Sequence, residues 1–261
     1  MTNRPDVHIE IDGRPATGLD PAVLPLLQGA YGHFTAMQVR DGRTRGLALH
    51  LERLDRATRE LFGTGLDGDR VRTLVRHALD RGGRSDAGVR VYVYGAAAEG
   101  GAPTVVVTVR EARTMPPRPR SMMPVPFLRP VPHVKHAGGV GQPYYGRAAA
   151  LAGFDDALLT GPGGEIAEGH VANVALWNGT SLVWPEAPAL RGVTMALLER
   201  LLPSVRREVR LADLGSYPAA VLMNSQGIAP VHRIGTTELA VDEELIRRLT
   251  EAYAAVPWDG I

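Results

Sequence analysis

One side chain in this 261-residue sequence can pass at ordinary pH from cation to nucleophilic amine. Lys135 is the only lysine among 29 lysines and arginines. Arginine keeps its proton at any useful pH, whereas burial or neighbouring cations can neutralise a lysine amine. Only the neutral amine attacks a carbonyl to form a Schiff base. Read alone, one lysine in an Arg-, Ala- and Gly-rich chain is also what a GC-rich genome leaves by chance. Other chemistries lack their parts. The chain has no cysteine, which excludes disulfides, thiolate nucleophiles and Cys-ligated metals. His133 and His136 bracket Lys135, but no H-E-x-x-H or carboxylate-rich motif accompanies them, so no metal site is expected. Ser225 has no G-x-S-x-G elbow, no G-x-G-x-x-G follows a strand pattern, and no P-loop motif exists.

Downstream of Lys135 the chain carries an ordered series of short segments. Gly153-Phe154-Asp155-Asp156-Ala157-Leu158-Leu159 comes first, then Glu165-Ile166-Ala167-Glu168-Gly169, then Asn173. Leu190-Arg191-Gly192-Val193-Thr194 opens a helical pattern, and Asn224-Ser225-Gln226-Gly227-Ile228-Ala229-Pro230-Val231 closes the series. Upstream stand Gly32-His33-Phe34-Thr35 and His50-Leu51-Glu52-Arg53-Leu54. Over roughly residues 25 to 235 this series resembles the class IV, or fold type IV, pyridoxal-phosphate enzymes. That family includes branched-chain aminotransferases, D-amino-acid aminotransferases and aminodeoxychorismate lyases.

The resemblance implies a pyridoxal 5'-phosphate cofactor and a role for each matched residue. Lys135 is the catalytic residue, holding the cofactor as an internal aldimine and then acting as general base. Glu168 pairs with the pyridine nitrogen, and a protonated ring withdraws electrons from the substrate carbanion. Arg53 clamps the phosphate with its planar fork, although an arginine on an amphipathic helix is otherwise a solvated one. Gly192, Val193 and Thr194 add a helix N-terminus, which favours anions, and Asn173 and Ser225 complete the cofactor set. Tyr31, Arg90, Tyr92 and Gln226 are the substrate-binding candidates, with Tyr94 nearby; Arg90 could equally be a surface strand residue.

Four positions depart from the family pattern. Ala175 replaces an aromatic residue, His170 a small one, Trp184 the threonine of a Thr-Pro pair, and Met195 a basic residue. The reaction the resemblance implies first is transfer of an amino group between an amino acid and a 2-keto acid. A lyase releasing pyruvate and 4-aminobenzoate is the alternative, favoured by Phe34-Thr35, Lys135-His136 and Asn224-Ser225 but not by Ala137-Gly138. A non-catalytic protein on the same fold is a third reading. The family's architecture implies two α+β domains with the cofactor between them, in a homodimer.

The elements that must position these groups are readable. Strand patterns run over Val7–Ile11, Phe34–Val39, Val89–Tyr94 and Thr104–Val109, and helical spacing over His50–Phe62 and Asp69–Arg81. Between Met115 and Pro132, seven of 18 residues are proline, so the stretch reads as an extended connector. It divides the chain into an N-terminal α+β domain at 1–114, a connector at 115–132 and a C-terminal cofactor-binding domain at 133–261. In the last, helices are expected from about Pro143 to Ala152, from Thr194 and from Asp242. Strands are expected at Ala157–Leu159, Asn173–Trp177, Leu182–Trp184, Val205–Val209, Ala220–Met223 and Val231. Helices and strands mix without β-α-β alternation, which indicates α+β. A net charge of +1 gives no field to attract nucleic acid or an anionic membrane. No apolar run nears the ~18 residues of a membrane span, so a cytoplasmic protein is expected.

Overall fold

Residues 8–15, 30–95, 101–116 and 118–261 are described in the computed structural model; Val7 and Pro117 lie outside them. The chain divides into two compact units, one comprising Met1–Arg113, Val134–Gly138 and Pro257–Ile261, the other Thr114–His133 and Gly139–Val256.

In the first unit β1 (His8–Ile11), β2 (Arg14–Pro15) and β3 (Gly32–Val39) are followed by the short β4 (Arg43–Arg45). Helices α1 (Leu47–Phe62) and α2 (Gly68–Arg81) come next, then β5 (Ala87–Tyr94) and β6 (Thr104–Arg110). Among the described residues the sheet is antiparallel, in the order β2-β1-β6-β5-β3. Alternation decides its faces. Met37 and Val39 of β3, Val89, Val91 and Val93 of β5, and Val105, Val107 and Val109 of β6 are buried in one cluster with Leu54, Val71 and Val75 of the helices. Asp67 caps α2 by accepting from Asp69 N–H at 2.9 Å. Helix α1 ends at Gly63, whose φ of 70° is the left-handed conformation that lets its N–H reach Arg59 O at 3.0 Å. Trp258–Gly260 pairs antiparallel with β4, and Ile261 joins the apolar cluster.

The second unit contains β7 (Arg120–Pro126), α3 (Gly141–Leu151), β8 (Asp156–Thr160), β9 (Ile166–Gly169), β10 (Asn173–Trp177) and β11 (Leu182–Pro185). It continues through α4 (Val193–Leu201), β12 (Ser204–Arg207), β13 (Ala219–Asn224), β14 (Gly227–Ile234), β15 (Thr237–Glu238) and α5 (Glu243–Ala254). The sheet runs β12-β11-β10-β13-β14-β7-β8-β9, with β15 beside β14. Asp242 caps α5 through Leu245 N–H at 2.8 Å. No helix among the described residues is long and apolar enough to cross a membrane.

The proline-rich stretch differs from a plain connector. Its Arg120–Pro126 segment is β7, inside the sheet between β14 and β8. Central strands ordinarily exclude proline. Here β14 runs beside β7 only as far as Met122, whereas β8 pairs from Met122 to Pro126. Pro124 and Pro126 share one strand phase, so their missing donors coincide with the side where β14 has ended. Lys135 likewise falls in the first unit and not in a unit beginning at residue 133.

Candidate active site

In the first unit, α1 turns a stripe of Leu47, His50, Arg53, Leu54, Ala57 and Thr58 inward. Two ionisable residues on an otherwise apolar stripe need buried partners. Thr35 of β3 supplies one to each, lying in the same phase as His33, Met37 and Val39. An Arg53 Nη2 hydrogen is donated to Thr35 Oγ1, and His50 Nδ1 lies 2.7 Å from the same oxygen. The hydroxyl accepts from arginine, so its own hydrogen is available to Nδ1 of a neutral His50. Burial, then the charges of Arg53 and Lys135, hold the His50 pKa well below the usual histidine value. His33, bonded through Nε2 to Thr58 Oγ1 at 3.0 Å, is lowered to about 4 by burial and then by Arg53. Both rings are therefore neutral at pH 7, and the Arg53 guanidinium is the charged group among these four side chains.

Lys135 reaches this cluster through backbone pairing. Phe34 N–H donates to Lys135 O at 2.8 Å, Ala137 N–H donates to Gly32 O at 2.7 Å, and His33 bridges His136. Residues 134–138 thus extend the β3 edge, with Lys135 opposite Phe34. Gly32 is required there, since a Cβ would lie 2.5 Å from the Tyr94 ring and 2.8 Å from Val93 O. Lys135 Nζ stands 4.8 Å from the Phe34 ring centre. The Phe34 ring stacks on Tyr92 at 5.0 Å, and Arg90 donates to Tyr92 Oη at 3.2 Å with its guanidinium 5.8 Å from the Phe34 ring. Lys135, Phe34, Arg90 and Tyr92 are therefore neighbours. Tyr31 is not among them: it packs edge-on against Phe62 and is 64% exposed.

In the second unit, Glu168 is buried on β9 opposite Leu159. Arg129 is ion-paired with it, Nε standing 3.2 Å from Oε1 and Nη2 donating to Oε2 at 3.4 Å; both side chains are under 5% exposed. Leu190 N–H also donates to Oε2, at 3.4 Å. Asn173 clamps the same loop, donating to Leu190 O at 2.7 Å and accepting from Gly192 N–H at 3.1 Å. A Cβ on Gly192 would stand 2.1 Å from Asn173 Oδ1, so only glycine permits the clamp. Gly192, whose N–H bonds Asn173, is the N-cap of α4, and Val193 and Thr194 bring the backbone donors of its first turn. Thr194 Oγ1 donates to Asn224 O at 3.0 Å, which ties α4 to the Ser225-Gln226 turn between β13 and β14. Gln226 is held through its backbone, by Asn224 Oδ1 at 2.8 Å and Met115 N–H at 2.8 Å.

Sequence reasoning placed Glu168 in a site but missed Arg129, which lies in the proline-rich stretch 39 residues away in sequence. Thr35 and His50 carried a signal, namely polar residues in buried phase on a strand and a helix. Among the described residues no group of three or more His, Asp or Glu side chains could hold a metal.

A family model for class IV amino-transferases matches residues 32–234. The chain belongs to the class IV aminotransferase family. The solved structures it is similar to include a hypothetical aminotransferase from Mycobacterium tuberculosis in a PLP-bound form, at 22% identity and TM-score 0.80, covering 95% of this chain and 99% of that one. A branched-chain aminotransferase from Thermoproteus uzoniensis with norvaline is similar at 19% identity and TM-score 0.82, over 95% and 93%. A fold IV transaminase, CpuTA1, from Curtobacterium pusillum is similar at 20% identity and TM-score 0.81, over 96% and 98%. At these identities the likeness establishes the fold, an α+β fold of type IV. No curated protein sequence matches.

Proposed function

We propose that the chain is a pyridoxal-phosphate-dependent aminotransferase acting on an amino acid and a 2-keto acid. One observation carries most of the reading. The sole lysine stands opposite Phe34 on the β3 edge, its Nζ 4.8 Å from that ring, on the strand whose Thr35 meets the buried Arg53.

The donor set fits the cofactor. A buried guanidinium beside a threonine hydroxyl suits a phosphate dianion, the amine suits an aldehyde, and a buried carboxylate suits a protonated ring nitrogen. The resemblance to the family assigns Lys135, Arg53, Glu168, Asn173, Gly192, Val193, Thr194 and Ser225 to hold it. When bound, the cofactor supplies an electron sink that eases proton loss from the amino-bearing carbon. Lys135 Nζ is assigned to take that proton and return it as general base and acid. Glu168 is assigned to the ring nitrogen, with the Arg129 ion pair beside it to keep the carboxylate ionised. Arg90, steadied by Tyr92, is assigned to a substrate carboxylate, with the Phe34 ring as an apolar wall. Gln226 and the outlying Tyr31 remain substrate candidates at the turn and at the end of α1. A homodimer in the cytoplasm belongs to the same reading.

The test is the visible spectrum of the protein with pyridoxal phosphate, before and after borohydride, beside Lys135→Ala. A band that borohydride reduces and fixes in wild type, and that is missing from the variant, is expected. No band in wild type overturns the reading. Product formation that depends strictly on a keto-acid acceptor distinguishes transfer from the lyase alternative, which releases pyruvate without one.

A further inference from the structure

The stretch 257–261 belongs to the first unit although α5, which precedes it, belongs to the second. Trp258–Gly260 pairs with β4, and the Arg45 guanidinium lies 4.0 Å over the Trp258 ring. Ile261 N–H donates to Gly42 O at 3.1 Å, and Ile261 is 8% exposed within the apolar cluster. Arg72 and Arg76 of α2 donate to the Gly260 and Ile261 carbonyls at 3.2 and 2.9 Å. Held from so many sides, Asp259 Oδ2 accepts the Leu47 N–H at 2.9 Å, 212 residues away in sequence.

Leu47 is the first residue of α1, and α1 has no local cap. Gly46 lies at φ 69° without a side chain to offer, and the first turn contains no acid. A helix start leaves orphan N–H groups and a partial positive charge. Asp259 satisfies one donor and supplies the missing negative charge. The helix so anchored carries His50 within its first turn and Arg53 in its second, where the buried Arg53 donates to Thr35 Oγ1. We infer that Asp259 is a positioning residue for the phosphate grip: by pinning the start of α1 it sets where the Arg53 guanidinium stands.

This rests on the reading of Arg53 as the phosphate-holding residue, and the experiment separates the two. The full chain, Asp259→Ala, Asp259→Asn and Arg53→Ala are each titrated with pyridoxal phosphate and with pyridoxal, which lacks the phosphate. The readout is the fraction fixed on Lys135 by borohydride, with thermal midpoints recorded alongside. Loss of a helix cap by Asp259→Ala is expected to weaken pyridoxal phosphate roughly fivefold while leaving pyridoxal unchanged. Asp259→Asn keeps an acceptor oxygen and loses the charge, so a smaller loss with the same selectivity is expected. Equal weakening of both aldehydes, or of neither, means that Asp259 only stabilises the fold and overturns the inference. If Asp259→Ala does not fold, the phosphate-to-pyridoxal ratio of Asp259→Asn decides, and an unchanged ratio overturns it. An Arg53→Ala variant that loses both aldehydes equally instead removes the phosphate reading itself, and the inference with it.

Discussion

Ala175, Trp184 and Met195, three departures from the family pattern, occupy one apolar cluster with Leu198, Val221 and Met223. Strand β10 pairs with β11 as Leu176↔Val183 and Trp177↔Leu182, so one further step places Ala175 opposite Trp184. A small residue on β10 thus faces a large one on β11, which keeps the volume that the family pattern puts there the other way round. Ala175→Phe alone should destabilise by about 1–3 kcal/mol through overpacking, and Trp184→Thr alone by roughly 3–5 kcal/mol through a cavity. The double variant should lose less than the sum, and chemical denaturation of all four proteins measures that coupling. The fourth departure is also matched by a neighbour. His170 bonds Asp156 through Nδ1, and its ring lies where a Cβ on Gly146 of α3 would come within 2.5 Å. At Glu168 the pairing is of charge. Arg129→Leu removes one partner of a buried ion pair and should destabilise by about 3–5 kcal/mol, whereas Arg129→Leu with Glu168→Leu should recover much of that. Equal losses in the single and double variants would refute the pairing as the cause.

At the scale of elements, α1 explains why part of the site could be read from sequence. Its apolar spacing was plain, and so was the strand alternation of β3, β5 and β6. The informative exceptions were His50 and Arg53 on the helix stripe and His33 and Thr35 on the strand, polar residues in apolar phase. The features that could not be read share a physical cause. Strand β7 depends on the point where β14 ends, Arg129 on a carboxylate from another strand, and Asp259 on a helix 212 residues earlier. None of these leaves a local period. The buried stripe also sets a pH response. Unfolded histidines take up protons below about 6.5, while folded His33 does so only near 4 and burial holds folded His50 well below its usual value too. The unfolded state therefore binds more protons in that window, and stability falls as pH drops from about 6.5 towards 4. His33 alone should contribute about 3 kcal/mol of that loss. Urea denaturation from pH 7 to pH 4 should show it, and His33→Gln should flatten the curve; an unchanged slope in the variant would sink the assignment.

Across the whole molecule, the first unit is not a continuous piece of chain. Residues 134–138 and 257–261 return to it, bringing Lys135 and Asp259 with them. The second return also contributes to the fold, since Ile261 is 8% exposed within the unit's apolar cluster. Burying such a side chain is worth about 2 kcal/mol, in a unit whose total stability is of the order of 5–15 kcal/mol. Backbone pairing to the β3 edge and to β4, and the α1 cap, add to that. A fragment cut at residue 113, near the boundary that composition suggests, should therefore lack the amine and also lose cooperative folding. Thermal unfolding followed by circular dichroism should give a broad, shallow transition for the fragment. Fusing residues 257–261 back through a flexible linker from residue 113 should sharpen it, because Ile261 and Asp259 can regain their places without any of the second unit. A sharp transition in the unfused fragment would mean that sheet and helices suffice, and that the returning segments serve the site alone.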